Sequence, residues 1–565
     1  MKMKTRILLI VMLAMVGLSG NLKSQTPTWL WARTATNIGN AWMYTEGLSV
    51  TTDLLGNVYA TGYFSDTLIF GADTLTHPGI YIVKYDSSGN VIFAKDGSGF
   101  ANGLGVAVDA AGNIYVAGAF NSDSISFGPY TLLNSGPFYI YDIFLVKYNS
   151  SGVIQWLRGA KGTSNDKALG IATDDFGNVI ITGFSQSPTL IFGSDTLIKT
   201  GLSFIFLVKY DSSGNILFAK TATASTNNLA ATSISVCTDI SGNSYISGYI
   251  STGNSNTAFI SFDNITLMDS ASSFSYIVKY SPAGSALWAR KATGTGNWTS
   301  CGLGITANSL GKIYTTGYYT GTSVSFGSNT IFNNGIQNVF LTKYDTFGNV
   351  IYARNIGGTG SNDKGYSVAS DDNDNIFVTG EFGSPSMNFD TIVVQNPGGT
   401  DPMFFTKYNS TGHALYATAF PSGADDNNDV AVDHFGNAFI CGDFYQVNPF
   451  IIGSDSLPLT CEEAFFIAKF GLSNIETNSK EITATPSFLL YPNPFTTTTT
   501  LTLQGTYHNP SLFIYNLLGQ EVRSIPVGTS KEVTIPRGNL PAGMYFYKLI
   551  EENKEVLGIG KLLVE

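Results

Sequence analysis

Histidine is nearly missing from this chain: His77, His413, His434 and His508 are the four in 565 residues, and they stand far apart. Nothing marks a Ser-His-Asp arrangement. Cysteine is as rare. Cys237, Cys301, Cys441 and Cys461 include no C-x-x-C pair, which removes a structural zinc site, and they are too few for a disulfide framework. Cys441 and Cys461 could face each other across an antiparallel pair and form a disulfide, whereas Cys237 and Cys301 read as buried small residues. Charge is thin: 13% of residues are Asp, Glu, Lys or Arg, and their balance of -11 has the wrong sign for a nucleic-acid footprint. After the N-terminal region no apolar run is long enough for a transmembrane span. With 43% apolar residues, most of the chain can still fold.

The N-terminus has the form of a secretory signal peptide over residues 1–24. Met1–Arg6 is basic, Ile7–Leu18 is apolar and Ser19–Ser24 is short and polar, with cleavage expected near Ser24–Gln25. No cysteine stands there to take a lipid anchor.

What is abundant is repetition. Ile205–Lys220 reads IFLVKYDSSGNILFAK, a strand, a tight turn and a strand, and related segments begin at Tyr81, Ile143, Tyr276, Val339 and Met403, with a partial copy at Phe465–Phe470. The refrain lysines Lys84, Lys147, Lys209, Lys279, Lys343, Lys407 and Lys469 are 63, 62, 70, 64, 64 and 62 residues apart. A period of this size means a repeat array. Each repeat has a second half, as in Gly105–Phe120, GVAVDAAGNIYVAGAF, where Asp first and Gly late suit a hairpin turn. The Asn that follows the Gly (Asn57, Asn113, Asn178, Asn243, Asn437) tolerates the left-handed region and can bond locally.

Every repeat thus supplies four antiparallel strands, A to D in chain order, with apolar period two throughout. Four-stranded units of this kind pack radially as a β-propeller. Seven A–B hairpins are followed by only six D strands, and Trp29–Arg33 (WLWAR) matches the D strand Leu287–Arg290 (LWAR). The expectation is an all-β chain: a seven-bladed propeller over 25–470 whose N-terminal strand closes the last blade, which leaves no open edge. The refrain resembles the bacterial SBBP-type propeller repeat, D-x-x-G-N-x-Y-v-x-G followed by F-L-v-K-Y-d-x-x-G, over about residues 27–470. That resemblance implies the fold and no common activity. The turn-to-aromatic spacing, as in Asn149–Trp156, is also similar to the tryptophan-docking motif of quinoprotein propellers; its simplest role is to lock one blade to the next, and no quinone follows.

The A–B and C–D turns are short and uniform; the B–C and D–A connections share the other face and vary, so binding is expected there. The D–A loops should rim the channel. The candidate ligand-binding residues are Trp42, Tyr44, Asn102, Asp166, Lys167, Asn228, Trp298, Asp363, Lys364, Asp426 and Asp429, beside Asn428: amides, carboxylates and stacking rings suited to a glycan or a peptide loop. The blander reading has them capping strands and binding water. No catalytic residue is assigned. Arg33, Arg158, Arg290 and Arg354 share a D-strand position and cannot converge in the channel. Asp371–Asn375 (DDNDN) and Asp425–Asp429 have some calcium-loop character, but neither completes the ligand spacing, so no cofactor is expected beyond a candidate calcium ion.

The B–C connections repeat LIFGADTL (Leu68–Leu75), LIFGSDTL (Leu190–Leu197), VSFGSNTI (Val324–Ile331) and FIIGSDSL (Phe450–Leu457). The simplest reading is a small hairpin held by its Phe and Gly. Asp-Ser/Thr pairs around Thr67, Thr74, Ser124, Thr196, Ser270, Thr391 and Ser456 also resemble the O-glycosylation acceptor of Bacteroidetes.

After residue 470 the repeat stops. Residues 471–485 read as a linker and 486–565 as a small Ig-like β-sandwich. Tyr491-Pro492-Asn493-Pro494, the stretch Asn516–Val522 with Gly519, and the Ala542–Tyr545 turn with Gly543 and Tyr545 resemble the type A C-terminal sorting domain of Bacteroidetes type IX secretion. The resemblance implies the secretion machinery as a partner, and a secreted or outer-surface location. The functional expectation is a non-catalytic binding or adhesion scaffold for a glycan or protein ligand. The alternatives are a glycan lyase or hydrolase using rim carboxylates, and a passive surface-matrix component.

Overall fold

The computed structural model describes residues 27–38, 43–137, 139–225, 228–252, 258–269, 273–294, 299–360, 362–398, 402–421, 428–472, 488–503, 509–516, 521–528, 530–551 and 556–564. Among the described residues every regular element is a β-strand. The chain divides into two compact units, Met1–Ser473 and Asn474–Glu565.

In the first unit, the third repeat shows the pattern. Asp166–Thr173, Val179–Ser185, Phe204–Tyr210 and Ile216–Thr221 pair in that order, all antiparallel. The same four-strand order recurs along the chain. In the last repeat the outer strand is Thr28–Thr34, paired with Glu463–Gly471. The A strands stand side by side in chain order, and the last, Asp429–Val432, returns to the first, Thr45–Thr52. Packing closes the same join: Trp31, Phe439, Phe465 and Ile467 share a core with Val50, Val58, Tyr81 and Val83 of the first repeat. Threonines sew neighbouring A strands together, with Thr52 donating to the Val432 carbonyl at 3.1 Å and Thr173 to that of Val108 at 2.9 Å.

The refrain residues form the contact between repeats. Lys147 sits 5.1 Å from the Tyr115 ring centroid and donates at 2.7 Å to the Ser212 carbonyl in the next repeat's C–D turn. Lys469 reaches Ser87 of the first repeat in the same way, at 3.0 Å. Trp156 donates to Ser212 at 3.2 Å and Arg158 to Gly214 at 2.9 Å, so the D-strand aromatic and arginine cap that turn. Gly214 has φ +79, and a Cβ there would meet Trp156 and Arg158 at 3.0 Å, so the turn needs glycine for its dihedral and for the close approach. The arginines are therefore blade locks.

The A–B turns use their aspartates internally. Asp109 accepts from the Ala111 and Asn113 backbone amides, the Asn113 side chain and the Tyr115 hydroxyl. The Asn bonds locally, but the left-handed residue is the glycine before it, with φ between 75 and 79 at Gly56, Gly112, Gly177, Gly242 and Gly436. This corrects the expectation for Asn: glycine takes that region at no steric cost, which frees Asn to brace the aspartate. The same aspartate partners the refrain lysine, as in Asp174–Lys209 at 2.8 Å, where both side chains are buried. Burial alone would raise the Asp174 carboxyl, but the bonds from Asn178 and Lys209 outweigh it and hold it below the usual carboxylate range.

The B–C hairpins have a structural task. Asp73 accepts from the Ala94 amide at 2.7 Å, Asp263 from Ala286 at 2.8 Å and Asp455 from Ala32 at 2.6 Å. Each carboxylate covers a donor on the outer edge of a D strand, while Phe70, Phe262 and Ile452 are buried beneath.

All four cysteines are free thiols, which corrects the Cys441–Cys461 disulfide. Cys441 pairs in register with Asp429 and Ile467 and points its thiol at the Gly47 carbonyl, 3.7 Å away. Cys461 donates to Glu463 at 2.8 Å and accepts from the Asn37 amide at 2.9 Å. Strand register, which the spacing of the two did not define, turns them to different neighbours.

The second unit has two sheets around one core. Phe488–Tyr491, Thr498–Leu503 and Glu532–Pro536 form one, and Glu521–Pro526, Ser511–Tyr515, Gly543–Ile550 and Val556–Val564 the other. Leu501, Leu512, Ile514, Ile535, Leu549 and Leu562 fill the space between them. Tyr491 is exposed; Asn493 donates to Lys561 at 3.0 Å and accepts from Leu563 at 2.8 Å; Tyr545 donates to Pro541 at 3.0 Å. Gly519 lies outside the described residues.

The fifth repeat breaks the turn rule and repairs it. Its turn begins with Asn308 instead of Asp, and the missing carboxylate arrives from the sixth repeat: Asp374, in the position glycine holds elsewhere, lies 2.6 Å from Lys343 and accepts from Asn308 at 2.6 Å and from Tyr314. Asp374 pays with φ 65. Asp374→Gly should relieve that backbone yet destabilise the first unit by about 3 kcal/mol, because it strands a buried ammonium. Adding Asn308→Asp should restore most of the loss in urea unfolding; an unchanged Asp374→Gly midpoint would refute the compensation.

Candidate functional site

The A strands of the described residues enclose a channel of about 810 Å³. Its lining follows from one device. In six of the B strands a glycine (Gly62, Gly118, Gly183, Gly248, Gly317, Gly380) lies so close to the A strand that a Cβ would come within about 2.0 Å of the carbonyl oxygen of residue 46, 102, 167, 232, 301 or 364. That approach accommodates a β-bulge, and one A-strand residue drops out of register. The displaced residues are Leu48, Leu104, Leu169, Ile234, Leu303 and Tyr366, and all line the channel. In the seventh repeat Asn428 stands at the same distance before the turn and lines it too. Five aliphatic side chains and one polar arc, from the adjacent sixth and seventh repeats, therefore face a common space.

The arc is built up by its neighbours. Tyr249, Cys301, Tyr318 and Lys364 line the same channel. Lys364 lies 2.8 Å from Glu381 and donates to the Tyr366 hydroxyl at 3.3 Å. Burial pushes the Cys301 thiol up to about 12 and the Tyr318 phenol higher still, so both stay protonated. Asn428 is 4% exposed, and neither its amide nitrogen nor its amide oxygen has a protein partner.

Residues 489–565 match the family described as Secretion system C-terminal sorting domain. Residues 351–381 match the Beta-propeller repeat family. This is a propeller protein with a type IX secretion sorting tail. The tail implies engagement with the secretion machinery and export to the surface or beyond. The chain is 26% identical over 514 residues to a WD repeat-containing protein of Acanthamoeba polyphaga mimivirus, with 74% of this chain and 36% of that one covered. It is 27% identical over 139 residues to the regulatory protein FlaEY of Caulobacter vibrioides, covering 23% and 15%. It thus spans about a third or less of the length of these curated relatives. Among solved structures, the Neurospora crassa Pan2 WD40 domain aligns with a TM-score of 0.36 at 8% identity, covering 80% of this chain and 97% of that one. Sqt1 of Chaetomium thermophilum aligns with a TM-score of 0.34 at 8% identity, covering 80% and 100%. Among the described residues, no helix is long and apolar enough to cross a membrane.

In this propeller the expected rim residues separate into three groups. Trp42, Trp298 and Asp426 lie outside the described residues. Tyr44 is exposed and stacks on Tyr63 at 5.6 Å and 29°, Asn228 is exposed, Asn102 is half-buried, and Lys167 sits 4.1 Å over the Tyr141 ring. Asp166 and Asp363 are internal, which corrects their reading as rim ligands, while Asp429 is half-buried and lines the channel. Asp166 accepts from Ser185 at 2.5 Å and Ser187 at 2.7 Å. Asp363 accepts from the Gly358 amide at 3.0 Å and the Ser384 hydroxyl at 2.9 Å. Asp429 ties three repeats, taking bonds from Ser49 and Val50, from Ser367, and from its neighbour Val430.

Tyr63, Tyr249, Tyr318 and Tyr366 were missed. The signal was present five residues before each A–B turn, where Tyr366 departs from Leu48, Leu104, Leu169, Ile234 and Leu303, and after each B-strand glycine. Three histidines face lone aspartates at the surface, His77–Asp96, His413–Asp390 and His434–Asp372, and His508 lies outside the described residues. Of the calcium-like stretch, Asp371 braces its own turn through Asn375 and Asp374 faces Lys343. Of the Asp-Ser/Thr sites, Thr74, Thr196, Thr391 and Ser456 are exposed, Thr67 and Ser124 are half-buried, and Ser270 lies outside the described residues.

Burial raises the Asp166 carboxyl to about 6, above its ordinary value near 4. Between those values the folded chain holds a proton that the unfolded chain has lost, so this group's contribution falls as pH rises through the window. Melting curves from about pH 4 to 7 should show wild type losing stability relative to Asp166→Asn as pH rises; a constant difference would contradict the shift.

Proposed function

We propose that the chain is a seven-bladed β-propeller, exported with an Ig-like sorting domain, that works as a non-catalytic binding scaffold at the cell surface or in secreted form, with a glycan or protein as ligand. The observation that carries this reading is the contrast between its two faces. On one, the A–B and C–D turns are uniform and consumed in locking repeats together through Lys147, Trp156, Arg158 and their equivalents. On the other, the connections differ from repeat to repeat and display ring surfaces such as Tyr44 on Tyr63. The buried state of Asp166 and Asp363 supports binding over hydrolysis, since carboxylates that a substrate cannot reach are poor candidates to exchange protons with it.

Adsorption of the full chain to a glycan array and to immobilised surface proteins tests this. Tyr44→Ala combined with Tyr63→Ala should weaken a specific interaction by about tenfold or more, a loss of about 1.4 kcal/mol. Turnover of a glycan by the wild-type protein, or the absence of any specific ligand, would count against the scaffold.

A further inference from the structure

The A–B turns lock the repeats through their frames, while their tips face solvent. Each turn begins one or two residues after the last channel-lining residue of its A strand, as Asp53 follows Thr52 and Asp174 follows Thr173, so the tips stand round one mouth of the channel. The two tip positions carry Leu54 and Leu55 in the first repeat, Phe176 in the third, Ile240 in the fourth, Leu310 in the fifth and Phe435 in the seventh. These six side chains are 61–77% exposed. The turn does not require them, because the second repeat makes it with Ala110-Ala111 and the sixth with Asp372-Asn373. Neighbouring tips touch. Phe435 lies over the first repeat's turn, 3.3 Å from where a Cβ on Gly56 would stand, and Phe176 over the fourth's, 3.0 Å from a Cβ on Gly242. Ser309 donates to Asp372 at 3.2 Å, and His434 meets Asp372 at 2.8 Å. The tips therefore form an apolar collar.

Area and charge together select what covers it. Taking about 180 Å² for a side chain of this size, the six expose about 700 Å², more than a monomeric surface usually leaves in one apolar patch. Two collars face to face would bury about 1,400 Å², within the range of about 1,200–2,000 Å² for stable interfaces. No tip carries lysine or arginine, which a surface that settles on anionic lipid would need. The acids at the tips are Asp175 and Asp372, and Asp372 is met by His434. Beneath them the turn carboxylates meet refrain lysines, Asp174 with Lys209 at 2.8 Å and Asp239 with Lys279 at 3.6 Å. Two copies would thus bring little like charge together. Because apolar tips recur in five repeats around the ring, a two-fold axis lays apolar tips on apolar tips, as an isologous contact requires.

We propose that this collar is the interface of a face-to-face homodimer, in which a second copy of the chain covers the mouth of the channel on the A–B side. The Tyr44–Tyr63 surface lies on the opposite face, so the dimer stands or falls independently of the scaffold reading. Sedimentation velocity and light scattering of the full chain from about 1 to 100 µM test it. Wild type should pass from monomer to dimer within that range, and added salt should not dissociate it, since the contact is apolar. Leu55→Asn, Phe176→Asn and Phe435→Asn in one chain install the residue that the sixth repeat carries at the same tip position. That variant should keep the wild-type melting temperature and associate about tenfold or more weakly. An environment-sensitive dye on Ser241→Cys, at an exposed tip, should shift to the blue as the dimer forms, while the same dye on Tyr44→Cys should not. A wild type that stays monomeric, a dimer that the triple variant leaves intact, or a blue shift on Tyr44→Cys in place of Ser241→Cys would overturn the proposal. So would a monomeric wild type that binds phosphatidylcholine vesicles, since a neutral bilayer would then be the occupant.

Discussion

A lysine in each repeat, buried in all but the sixth, where Lys407 is half-buried, is the constraint from which the rest of the propeller follows. An ammonium taken out of water has to be answered on several sides, or its desolvation costs more than its contacts return. Here the answers come from different places in the chain. An aromatic ring of the B strand lies under it, as Tyr115 does under Lys147; a turn aspartate faces it, as Asp174 faces Lys209; and a carbonyl of the following repeat accepts from it, as Ser212 does. Because the last partner belongs to the next repeat, satisfying the lysine also sets the spacing between repeats. The Lys469–Ser87 bond applies the same rule across the join between chain end and chain start.

The refrain was legible because each of its letters serves that contact. Lys, Asp, Gly and the D-strand aromatic sit at fixed separations, and the match of WLWAR to the later D strands placed Trp29–Arg33 beside Glu463–Gly471, where it pairs. The rim was less legible. Asp166 and Asp363 each precede a lysine in a polar connection, a pattern that describes a solvated loop as well as a braced one. What decides between them is a serine about twenty residues later, Ser185 or Ser384, brought opposite by hairpin register. Register also separated Cys441 from Cys461. Such long-range pairings are written in the fold, and spacing along the chain reports them only when the strand partners are already known.

The internal repetition offers a sharper instrument than composition, because each repeat is a control for the others. Departures from the common pattern fall into two kinds. Asn308 and Asp374 are complementary: one repeat loses a carboxylate, its neighbour supplies one, and Lys343 is satisfied as elsewhere in the ring. A departure whose partner lies inside the protein needs no further explanation, since the pair preserves the same interaction by another route. Asn428 is of the second kind. It stands as far before its turn as the leucine-like residues of five other repeats do, and its amide finds no protein group to bond. A buried polar group that the fold does not demand and the protein does not satisfy is retained at a cost in stability.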